Sequence, residues 1–88
     1  GAEAKYLVAQ QLYKAGEYTA AEKEILNFID QSTPHAYWLA RSFVLLSDVY
    51  VAMDKKLDAR QYLLSLQQNY HADDDIEQMI NERLEKLK

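Results

Sequence analysis

The residues of this 88-residue chain that could do chemistry are two histidines, three consecutive aspartates, two serines in an apolar run and a dense set of aromatics. His35 and His71 each stand alone in a break between apolar stretches. In the sequence neither has a second histidine or a cysteine close by to complete a metal set, and no adjacent acidic-histidine or serine-histidine spacing marks either as a catalytic base. His71 next to Asp73, Asp74 and Asp75 suggests a cation site, but the aspartates lack the alternating acidic spacing, central Gly and distal Glu of a calcium loop. The simpler reading is an acidic helix start, where negative charge suits the exposed amides and the macrodipole. Ser42 and Ser47 lie inside a helical pattern with no adjacent base to activate a hydroxyl. There is no cysteine and no glycine-rich phosphate loop. The expectation is a non-enzyme with no catalytic, cofactor-binding or metal residues.

The aromatics are the other constellation: seven tyrosines and Trp38. Tyr18, Tyr50 and Tyr62 sit at packing positions and Tyr70 ends a helix. Tyr6, Tyr13, Tyr37 and Trp38 are less well explained by an internal core, and rigid aromatic area with polar tips is what protein-binding surfaces use.

The net charge of −4 leaves no basic footprint for nucleic acid or an anionic membrane. No apolar run approaches the roughly 20 residues of a membrane-spanning helix, so no membrane insertion by this segment is expected. A chain of this length buries only about 60–65% of its unfolded surface, so it needs an efficient core or a neighbour to lean on. It starts at Gly1 rather than Met, which reads as a segment of a longer protein.

Two glycines and one proline are sparse punctuation and favour long helices. Apolar periodicity predicts a first helix over about 3–15, with Ala4, Leu7, Val8, Leu12 and Ala15 as its buried stripe, stopped by Gly16. A second helix spans about 18–30 with Ala21, Ile25, Phe28 and Ile29 inward, and Thr19 with Glu22 matches a capping box. The third runs over about 34–53, capped by Thr33 with Pro34 in its first turn, and turns Leu39, Phe43, Leu46, Tyr50 and Met53 inward. A fourth covers about 57–69 with Ala59, Leu63 and Leu66 inward. A fifth runs from the aspartates to about 87 on Ile76, Met79, Ile80, Leu84 and Leu87. No alternating stretch argues for a strand.

The chain also repeats itself. Ala9 and Ser47, Gly16 and Asp54, Ala21 and Ala59, Val8 and Leu46, and Leu12 and Tyr50 are all 38 residues apart. Self-similarity at such a period points to stacked helical units. Phe43, Leu46, Ser47 and Tyr50, together with the turn Gly16-Glu17-Tyr18-Thr19-Ala20-Ala21, resemble the tetratricopeptide repeat (TPR) family. Its unit is a helix–turn–helix of about 34 residues. Lys5 and Leu12 replace usual aromatics, Asp54 replaces the turn glycine, and the longer period places extra residues around 31–38.

The resemblance implies an all-α, five-helix right-handed α–α superhelix. It would comprise two TPR-like hairpins, about 3–32 and 34–70, and a capping helix at about 73–88. It implies a non-catalytic scaffold or adaptor that binds a protein or peptide in a groove lined by the first and third helices. Carried over by position, that groove takes Glu3, Tyr6, Gln10, Tyr13 and Lys14, then Arg41, Val44, Asp48 and Val51. The Lys and Asn clamps of the family's chaperone-tail binders fall on Tyr6, Gln10, Val44 and Asp48, which argues against capture of a terminal carboxylate. Two other classes stand beside this reading: a self-association module paired through the first helix, and a regulatory appendage of an upstream enzyme or DNA-binding domain. The long third helix and the repeat-plus-cap ending are similar to bacterial cell-envelope TPR proteins, including outer-membrane assembly lipoproteins. Localisation therefore leans toward envelope or periplasm over cytoplasm.

Overall fold

A computed structural model describes residues 1–31 and 35–88. Among these, every regular element is an α-helix: α1 (Ala2–Lys14), α2 (Tyr18–Asp30), α3 (Ala36–Ala52), α4 (Lys56–Asn69) and α5 (Ile76–Lys86). The expected cap Thr33 and Pro34 lie outside the described residues.

The two tight turns show why the chain doubles back where it does. After α1, Gly16 takes φ +79°, with the Glu17 amide donating to the Leu12 carbonyl and the Gly16 amide to that of Tyr13. After α3, Asp54 takes φ +60°, with Lys55 donating to Tyr50 and Asp54 to Val51. Both are left-handed helix ends of the Schellman kind. They match hydrogen bond for hydrogen bond at the 38-residue offset. Aspartate tolerates the left-handed region better than most side chains, so the loss of glycine does not break the turn.

Packing repeats with the same offset. The buried residues of α1 and α2 are Ala2, Tyr6, Ala9, Ala21, Ile25 and Phe28. Their counterparts Ala40, Val44, Ser47, Ala59, Leu63 and Leu66 are buried too. Small residues at 9, 21, 47 and 59 let backbones approach, and the larger ones fill the space around them. α2 packs on α1 and α3, α4 packs on α3 and α5, and α3 touches α1 and α5. The resulting slab measures 31 × 30 × 18 Å. One core cluster joins α1 and α2 to Leu45, Leu46, Val49 and Tyr50 of α3. A second joins Ala40 and Val44 of α3 to Leu63 and Leu66 of α4 and to Ile76 and Ile80 of α5. Each fully buried Leu or Ile contributes about 1.5–3 kcal/mol.

Two local expectations need correction. The aliphatic stripe of α1 is not its buried face: Leu7 is 44% and Val8 52% exposed, Ala4 and Ala15 lie open, and only Leu12 is partly covered. The buried face is Ala2, Tyr6 and Ala9, with Tyr13 partly covered, because that side meets α2 and α3. Thr19 is not a cap, since α2 starts at Tyr18 behind Glu17 without a side-chain capping bond. The acidic start of α5 is where it was expected: the helix begins at Ile76 directly behind Asp75, and the Ile76 amide donates to Asp74 Oδ1 at 2.9 Å.

Candidate functional site

Helical spacing brings Tyr13 at the end of α1, Asp48 and Val51 on α3, Lys56 on α4, and Glu82, Arg83 and Lys86 on α5 around one cleft of about 540 Å³. Arg83 occupies the α5 stripe of Ile76, Ile80 and Leu87, and this charged residue on an apolar face is the signal by which sequence reasoning could have found it. It did not. Its guanidinium grips Asp48 with two bonds, Nε to Oδ1 at 2.8 Å and Nη2 to Oδ2 at 3.0 Å, and a third reaches the Met79 carbonyl. Burial works against the charge on Arg83, but the Asp48 carboxylate outweighs it and leaves the arginine pKa raised. Asp48 therefore meets the cleft as half of a fork-shaped ion pair, which blunts the repulsion toward an incoming carboxylate that its bare charge suggested. Burial, then Asp48, raises the pKa of the Tyr13 phenol, which keeps its proton available as a donor.

Arg41 lies at the other end of α3, in a nest of rings. Its guanidinium carbon stands 5.0 Å from the Tyr6 ring centroid and 5.9 Å from those of Tyr37 and Trp38. Nη1 donates to the Tyr37 hydroxyl at 3.0 Å and Nη2 to that of Tyr6 at 3.1 Å, while Tyr37 donates onward to Asp75. The buried Nε has no acceptor among the described residues. This cluster ties α1, α3 and the entrance to α5 together by cation–π and phenol contacts.

Of the positions carried over for the groove, Tyr13, Asp48 and Val51 meet at the cleft. Tyr6 is only 4% exposed and Val44 only 1%, so both are placed as packing residues and not as surface contacts. Val44 is sealed because α4 and α5 close over that side of α3. Arg41 belongs to the ring nest, Gln10 is half-buried, and Glu3 and Lys14 are exposed.

The hydroxyls of Ser42 and Ser47 are spent on backbone carbonyls, Trp38 at 2.8 Å and Val44 at 2.6 Å. His71 Nε2 lies 3.1 Å from the Gln68 carbonyl. Among the described residues no group of three or more His, Asp or Glu is placed to hold a metal, and no helix is long and apolar enough to cross a membrane. The cleft offers aromatic and aliphatic area, a phenol donor, lysine charge and the carboxylate of Glu82. No family model, curated protein or solved structure matches this chain.

Proposed function

We propose that the chain is a non-catalytic protein-interaction module. In this reading α1–α2 and α3–α4 are TPR-type hairpins in a right-handed superhelix, with α5 as the capping helix. The cleft between α1, α3 and α5 takes a segment of a partner protein. The matching turns and buried positions at the 38-residue offset support the architecture. The observation that carries the function is the composition of the cleft: Tyr13 and Val51 supply apolar contact, Lys56 and Lys86 supply positive charge, and Glu82 adds one carboxylate beside the Asp48–Arg83 pair. These suit an extended peptide that lays an apolar side chain beside Tyr13 and Val51 and turns an acidic group toward the lysines.

Peptides selected from a random library against the 88-residue chain test this directly. Val51→Glu and Lys86→Glu, both at exposed positions of the cleft, are each expected to weaken a selected peptide about tenfold or more, equivalent to about 1.4 kcal/mol, with an unchanged melting temperature. Unchanged affinity, or affinity lost only in step with stability, contradicts the assignment.

A further inference from the structure

The outward face of α1 holds Ala4, Leu7, Val8 and Gln11, all exposed. Their counterparts 38 residues on are Ser42, Leu45, Leu46 and Val49 of α3, all buried. Of these, Leu45, Leu46 and Val49 share one core cluster with Tyr6 and Ala9 of α1 and Ala21 and Ile25 of α2. Thus α3 shows what covers this face when it is covered: the helical hairpin that precedes it. We propose that the outward face of α1 is a docking surface for a further antiparallel helix pair, one that presents small and aliphatic residues as α1–α2 present them to α3.

A second copy of this chain does not match that description. Its own α1–α2 pair is already seated on α3. Its opposite end turns Glu77, Gln78, Asn81, Glu82 and Glu85 of α5 to solvent, and this polar surface ends a stack. The inference rests on the 38-residue equivalence and is independent of the cleft.

The test adds such a pair in register. A copy of residues 1–38 is fused directly ahead of Gly1, so that the copied 31–38 segment leads into α1 as the original leads into the rest of α3. The extended chain is expected to melt about 8 °C or more above the 88-residue chain, because each repeat interface adds its own stability. Val8→Glu in the original segment is expected to remove that gain, yet to shift the 88-residue chain by less than about 2 °C. An extended chain with no gain, or a Val8→Glu effect equally small in both, overturns the proposal. So does a dimer of the 88-residue chain in sedimentation that Val8→Glu dissolves, which would seat a second copy on the face.

Discussion

Val8 of α1 and Leu46 of α3 occupy equivalent places in the two hairpins, yet Val8 is 52% exposed and Leu46 is fully buried. The two helices share a turn geometry, a small residue at the crossing and a buried side that meets the next helix. They differ in what lies behind them. Among the described residues, helix α3 is packed from α1 and α2 on one side and from α4 and α5 on the other, whereas α1 is packed only from α2 and α3. Burial at equivalent positions of the two hairpins is thus set by their neighbours as much as by their own residues.

Paired substitutions break or sharpen this comparison. The largest difference is expected from truncation of the equivalent pair: Leu46→Ala should cost about 2–5 kcal/mol in chemical denaturation, and Val8→Ala less than about 0.5 kcal/mol. Similar costs would mean that the two faces are equally packed. Ser47→Leu comes next. Ser47 is buried, with its hydroxyl bonded to the Val44 carbonyl, and a leucine there should overpack the contact by about 1–3 kcal/mol. A fully stable variant would remove Ser47 as a close-contact point. The smallest effects belong to the turns. Beyond Gly16 and its two chain neighbours, no heavy atom of the described residues lies within 4 Å of where a Cβ would sit, so Gly16→Ala is resisted by its positive φ alone and should cost about 1 kcal/mol. Asp54→Gly should stay within about 0.5 kcal/mol, since glycine eases the left-handed turn but loosens the unfolded chain.

Much of the frame was legible in the sequence, and the misses have physical causes. Gly16 and the 38-residue offset located both turns, and the stripes of α2 and α4 were read correctly because each has a single apolar face. Helix α1 has two. One is aliphatic, with Leu7 and Val8; the other is aromatic and small, with Tyr6, Ala9 and Tyr13. Hydrophobicity alone favours the first, whereas tertiary packing selects the second, where Tyr6 finds a donor in Arg41. Arg83 stands out on the α5 stripe as a charge among apolar residues, but its partner Asp48 is 35 residues away, and periodicity within one helix does not name a partner on another. Val44 was placed on the groove by position in a repeat, but α4 and α5 close over it.

The most direct measurement uses the absence of cysteine from the chain. Val8→Cys and Leu46→Cys, prepared separately, can be labelled with a thiol reagent under native conditions. The structure predicts that the thiol at position 8 reacts at close to the rate of a free cysteine. The thiol at 46 should react at least about a hundredfold more slowly, through transient opening of the core. Equal rates at the two positions would contradict the account of one hairpin open behind and the other sealed.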